Sequence, residues 1–288
     1  MSAAPAAVPA VATRRPVAHP GRRKLRVGLV ILGALLLVAV LAPWLAPHDP
    51  DAIESNRVLR GITLAHPFGS DDLGRDVLSR VIFAFRVSLS VAVGSVVVAF
   101  VVGVPLGLIA GYRGGWVDTV IMRPVDMLLA LPALLLAIAL IAIVGPGSLI
   151  ALLAISIIYL PILARVIRSS TLVVSSQTFV EGARARGASS TSIVVRHVLP
   201  NAIGPAIVQA SVLMGFALQI EAALSFLGLG AQPPTPSLGV MLADGRNVLT
   251  QAPWVEIFPG LAIAVTVLAF NLIGDALRDR LDPRGVTR

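Results

Sequence analysis

The sequence predicts an all-α membrane protein with six transmembrane helices, and three observations carry that expectation. Apolar residues make up 56% of the 288 and charged ones 13%, the first well above a soluble domain's share and the second about half of it. Five long, strongly apolar stretches without Asp, Glu, Lys or Arg read as spans: 27–45, 87–112, 127–164, 198–220 and 257–274. Backbone polar groups in lipid must be satisfied within their own segment, so each stretch reads as helix, about 20 residues sufficing for a core of about 30 Å.

The elements follow in order. Residues 1–24 are rich in Ala and Pro and then basic, a composition that predicts a disordered tail. The run 27–45 is about twice the length of a signal peptide's apolar segment, and Pro43 and Pro47 stand where a cleavage site would fall, so it reads as an uncleaved anchor. On the second span, 87–112, Gly103, Gly107 and Gly111 repeat every four residues and form one small face for close helix packing, with Pro105 bending the helix. The stretch 127–164 is too long for one crossing, and Gly145-Pro146-Gly147 divides it into spans 127–144 and 148–164, with kinks expected at Pro132 and Pro161. The fifth and sixth spans are 198–220 and 257–274, which completes a permease domain over 25–285 and leaves 286–288 as a short end.

An even number of spans puts both termini on one side. That side would hold seventeen of the 23 basic residues, against six on the other: Arg57, Arg60, Arg75, Arg80, Arg86 and Arg246. The positive-inside rule then makes the termini cytoplasmic.

Several chemistries are excluded. Without cysteine there are no disulfides, thiolate metal sites or cysteine nucleophiles. The net charge of +8 is spread as arginines between apolar runs, Lys24 being the only lysine, so no nucleic-acid partner is expected. Lys24 follows Arg23 rather than a glycine loop, which removes a Walker-type ATPase. His19, His48, His66 and His197 include no pair at helical metal-ligand spacing, so no metal site and no catalytic constellation are expected.

Two features invite a role. Glu221 is the one serious ionisable candidate near a span; it reads as a carboxylate at a helix end, hydrated or paired, with a translocation path or gate shared with Gln219 as the other reading. The loop 178–199 reads as two short helices with a bend. Gly187 takes a positive φ there, Ser189 or Ser190 caps the second helix, and Glu181, Arg184 and Arg186 are exposed for a partner. His197 reads as a capping or hydrogen-bonded residue without chemistry of its own. An ion-coupled carrier working alone and a membrane scaffold that docks a partner both remain open at this level.

The spacing of Glu181, Ala183, Gly187, Leu199 and Pro200 resembles the EAA loop of importer permeases in the ABC transporter superfamily, with Gly182 and His197 as departures from the broad consensus. The form Arg196-His197-Val198-Leu199-Pro200-Asn201 resembles the dipeptide, oligopeptide and nickel permease family. So do His66-Pro67-Phe68-Gly69-Ser70-Asp71-Asp72-Leu73-Gly74-Arg75-Asp76, Leu224-Ser225-Phe226-Leu227-Gly228-Leu229-Gly230 and Asn271-Leu272-Ile273-Gly274-Asp275. The resemblance implies a type I importer permease fold with a cytoplasmic coupling helix in the inner membrane of a prokaryote. It implies a second homologous permease as heterodimer partner, two ATPase subunits that use ATP and Mg, and an extracytoplasmic substrate-binding protein, with no cofactor on this chain. The substrate it implies is a peptide or a related small solute.

Overall fold

The computed structural model describes residues 20–281; most of the tail expected to be disordered, and the end from 282, lie outside the described residues. Among the described residues the chain is helical, its one β-type contact being an isolated bridge between Ser70 and Asp76. The helices are α1 (Pro20–Val40), α2 (Ala42–Leu45), α3 (Val77–Arg113), α4 (Gly115–Leu129), α5 (Ala133–Val144), α6 (Ser148–Ser175), α7 (Thr178–Ala185), α8 (Ser190–Ile193), α9 (Leu199–Phe226), α10 (Leu238–Gly245) and α11 (Trp254–Leu281). A five-residue π-helical turn, Val194–Val198, joins α8 to α9.

The helices overrun the charge-free stretches because caps, rather than hydropathy, end them. Asp76 starts α3 well before Val87: its Oδ2 accepts from the backbone N–H of Ser79 at 2.8 Å. Four helical stretches are long and apolar enough to cross a membrane: α3, α6, residues 190–226 as one rod, and α11. The expected span 127–144 is not one rod. It breaks at Ala130, Leu131 and Pro132, and α4 and α5 meet there at 95°, passing as a crossing only if the bent pair counts as one. Pro132 offers no N–H and holds its predecessor out of the helical region, so the expected kink becomes a break. Helix α1 carries Arg22, Arg23, Lys24 and Arg26 in its first two turns and falls short of the same criterion, so the geometry supports four or five crossings.

The core is organised about α3 and α6. Gly103, Gly107 and Gly111 face α6, where a Cβ would meet Leu160 O at 2.9 Å, Ala164 O, and Arg168 O at 2.8 Å respectively. Such contact is open only to glycine and lets the two backbones touch. Ile155 and Leu163 of α6 and Leu213 and Leu218 of α9 fill one cluster with Val96 of α3 and Ile141 of α5. A second joins Phe85 of α3, Leu238 and Met241 of α10, and Phe270 of α11. Helix α1 lies along α11, with Gly28 close to Ala269 and Ile273.

Candidate functional site

Helix α7 is only eight residues long and cannot hold itself together without tertiary support. Val180 and Ala183, three apart and therefore on one face, supply that support: they are buried in a cluster with Val104 and Leu108 of α3, Ile167 of α6, Ile193, Val198 and Ala202. Glu181 is exposed on the far side, Phe179 and Arg184 are exposed at the flanks of the buried stripe, and Arg186 is exposed just past the end of the helix. Gly182 lies at the margin, half-buried. The helix stops at Gly187, whose φ is +79°. The N–H of Ala188 donates to Ala183 O at 3.2 Å and that of Gly187 to Arg184 O at 3.0 Å, the pair of bonds that defines a Schellman terminus. Ser189, of the two expected caps, then opens α8 by accepting from Ser192 N at 3.3 Å. Leu199 and Pro200 begin α9 directly after the π turn. His197 lies in the π turn, half-buried, and its carbonyl accepts from Asn201 Nδ2 at 2.7 Å.

Glu221 and Gln219 do not share a face. Gln219 is exposed, whereas Glu221 is 1% exposed and turned into the bundle. Ser225 Oγ donates to Glu221 Oε1 at 2.8 Å, and the hydroxyls of Ser88 on α3 and Ser237 at the start of α10 lie beside the carboxylate. Oε2 has no partner at hydrogen-bonding geometry. Of the two states expected for this carboxylate, hydrated or paired, burial removes the first, and the hydrogen bond from Ser225 supplies the second. Two turns of α9 plus α10 cover the group, and α10, formed from the connection after α9, is invisible to a search for apolar runs.

At the end of the bundle opposite α7, residues 46–76 pack onto α10 and α11 through an ionic network that sequence reasoning left unassigned. Arg75 Nε lies 2.6 Å from Asp71 Oδ2, and its Nη2 lies 3.6 Å from Asp244 on α10. Arg80, 2% exposed, lies 3.7 Å from Asp71 and 3.6 Å from Asp51, and donates to Pro50 O at 3.2 Å. Burial raises the Asp244 carboxyl above its ordinary range, against the opposing pull of Arg75 and Arg80. Trp254 Nε1 donates to Ser70 O at 3.0 Å, and Phe68 stacks on Phe258 with centroids 3.8 Å apart, tying the same segment to α11. His48, His66 and Asp76 meet here as well. They come from separate segments, which a spacing rule for one helix could not detect.

At the α7 end, a cavity of about 710 Å³ opens between α4 and α6, lined by Asp118, Met122, Arg123, Asp126, Arg165 and Arg168. Arg165 pairs with Asp126 at 2.6 Å and Arg168 with Asp118, fixing α4 on α6.

The chain is a helical bundle with membrane-crossing helices and an anchored yet exposed surface helix, and the comparisons give its class. Residues 103–285 match the family described as binding-protein-dependent transport system inner membrane component, and residues 24–67 match the N-terminal TM domain of oligopeptide transport permease C. The chain is 45% identical over 258 residues to the dipeptide transport system permease protein of Alkalihalophilus pseudofirmus, covering 90% of this chain and 85% of that one. It is 45% identical to the glutathione transport system permease protein of Pectobacterium atrosepticum, covering 89% and 85%. Among solved structures, the inward-facing MetNI methionine ABC transporter shares the fold with a TM-score of 0.58 at 20% identity, covering 74% of this chain and 97% of that one. An amino acid ABC transporter crystallised with histidines aligns with a TM-score of 0.55 at 15% identity, covering 70% and 94%.

The chain belongs to the binding-protein-dependent transport system inner membrane component family. It is a multi-pass permease subunit of an ABC importer, and ATP hydrolysis belongs to partner subunits.

Proposed function

We propose that the chain is one of two related permease subunits of an importer that carries short peptides, or a related small solute, through the inner membrane of a prokaryote. Both curated relatives are named for short peptides, dipeptides and glutathione, which supports the substrate class. The chain crosses six times: α1 is the first crossing, held along α11, and the bent pair α4 and α5 is the third. The arginine excess supports a cytoplasmic side for both termini and α7, and in that orientation residues 46–76 and α10 face outward toward a substrate-binding protein.

The observation that carries this reading is the two-faced character of α7. One face is rooted in the bundle through Val180 and Ala183, and the exposed remainder of the helix and its C-cap offer Glu181, Arg184 and Arg186 to a partner. Two ATPase subunits, binding ATP and Mg, dock one on each permease. Their closure pulls α7, and the cluster beneath it passes the displacement to α6 and α9, rocking the bundle between inward-open and outward-open states.

Purification of a tagged copy from native membranes in mild detergent is expected to recover a second permease and ATPase subunits, and replacement of residues 181–187 is expected to release the ATPases. Vesicles holding the intact complex should take up peptide only with ATP. A chain recovered alone that drives flux without ATP would overturn the assignment.

A further inference from the structure

Three segments converge at the end of the bundle opposite α7 to bring two imidazoles and a carboxylate together. His48 follows α2, His66 lies in the long connection, and Asp76 caps α3. One ligand-capable atom of each lies within 4.8 Å of the other two. His66 Nδ1 is 2.8 Å from Asp76 Oδ1, His48 Nδ1 is 3.8 Å from Asp76 Oδ2, and the two rings stack with centroids 4.5 Å apart. Ligand atoms about 2.0–2.2 Å from a tetrahedral ion stand about 3.3 Å from one another, between those two distances.

The three groups differ in how well hydrogen bonds already serve them. Asp76 is held by the N–H and hydroxyl of Ser79, at 2.8 and 2.7 Å, so its position is fixed. His66 is satisfied on both nitrogens, by Asp76 and by Arg57 Nη1 at 3.0 Å. His48 is not. Its Nδ1 is shielded from solvent, aims at Asp76, and has no hydrogen-bond partner, an arrangement that a purely structural histidine rarely shows. The His48 side chain as a whole is 33% exposed, which gives a solute access to the cluster.

We propose that His48, His66 and Asp76 bind one divalent transition-metal ion of the zinc class, which staples the connection before α3 to the start of that helix. Two imidazole nitrogens and one carboxylate oxygen suit Zn²⁺, with water in the fourth position. Arg57 sets the affinity. A guanidinium only donates, so His66 Nε2 accepts from it and the imidazole proton sits on Nδ1, facing Asp76. Metal binding needs the Nδ1 lone pair. The proton therefore moves to Nε2 through solvent, and Arg57, a third exposed and also paired with Glu54 at 3.0 Å, swings away. Arg57 is thus a competitor that holds the metal-free tautomer. The site stands whatever solute the bundle carries.

The test uses the full-length chain in its detergent-extracted complex, purified with a histidine-free tag in a His19→Ala, His197→Ala background and stripped with chelator. Zn²⁺ is titrated by calorimetry, and Co²⁺ is added separately to read its visible absorption. One more Zn²⁺ per complex is expected than with His48→Ala, which keeps the backbone bond from residue 48 to Ser79 Oγ at 3.1 Å and so leaves the helix cap in place. Loss of that ligand should weaken binding at least as much as the ~10–100-fold typical of an outer-sphere partner. Arg57→Ala should tighten binding, and the Co²⁺ complex should show the intense visible bands of a four-coordinate ion. Equal Zn²⁺ uptake by the complex and its His48→Ala form, or Co²⁺ that shows only the weak spectrum of the free aquo ion, would overturn the proposal.

Discussion

Gly187 and Glu221 show how one residue can be constrained by different physics. Nothing lies within 4 Å of the place where a Cβ of residue 187 would sit, so a side chain there meets no clash. The whole penalty is the left-handed backbone, about 1–2 kcal/mol for an ordinary residue and least for Asn, whose short polar side chain tolerates that region. Gly187→Val is therefore expected to insert and express normally while losing transport-coupled ATP hydrolysis, and Gly187→Asn to keep it; normal uptake by the valine form would remove the bend from the coupling path. At Glu221 the constraint is the neighbouring hydroxyls. Glu221→Gln keeps an acceptor for Ser225 and should preserve both thermal stability and uptake, whereas Glu221→Leu removes the acceptor of that buried hydroxyl, which then keeps only the N–H of Ala231, at about 1–3 kcal/mol. A stable Gln form without uptake would show that the charge itself serves the path. The turn at Gly187 was legible in the sequence because a C-terminal glycine and a capping serine are local signals. The setting of Glu221 was not, because its cover arrives from Ser88 and Ser237, far along the chain.

Among the elements, α3 and α6 illustrate what spacing alone can convey. Three glycines at four-residue intervals announce a close approach, and the helix that makes it is known only once the bundle is assembled. Gly107→Leu would drive a side chain into the Ala164 carbonyl and Ile167, a backbone obstacle that cannot turn aside, and should cost at least the ~1–3 kcal/mol of an overpacked core. Gly33→Leu on α1, where nothing lies within 4 Å, should be silent when both variants are compared by heat inactivation. Pro132 was likewise readable as a disturbance, but its size was not: a proline kink inside a supported helix stays modest, while here the chain leaves the helix altogether and turns by 95°. Pro132→Ala restores the missing donor. Spin labels at Val120 and Ile143, both exposed, should then report a longer separation; an unchanged distance would mean that packing of α5 on α6 dictates the turn.

For the molecule as a whole, the apolar surface has the extent expected of a lipid-facing and partner-facing bundle: Val101, Trp116, Leu135, Ile143, Leu153 and Leu268 all stand exposed. The composition signalled that environment at once, yet it could not separate a lipid face from a subunit face, since both are apolar. The ionic network opposite α7 was equally hidden, because Asp244 lies far along the chain from Arg75 and Arg80. Its pH response has a definite sign. The native Asp244 carboxyl sits above its unfolded value of 3.8, so the folded state binds the proton more tightly, and stability from this group falls as pH rises from that value through the native one. Asp244→Asn should flatten that part of the heat-inactivation profile; an unchanged slope would assign the pH response to other carboxylates.

The bond from Trp254 to Ser70 spans 184 residues, and that from Leu238 to Ser88 spans 150. In the order of synthesis, the segment before α3 leaves the ribosome before Asp244 of α10, a partner of Arg75, has been made, and its aromatic anchor on α11 is made last. A nascent chain halted before Trp254 would thus carry Phe68 and the Ser70 carbonyl uncovered, a visible mark of incompleteness for the proteases that survey membrane proteins during biogenesis.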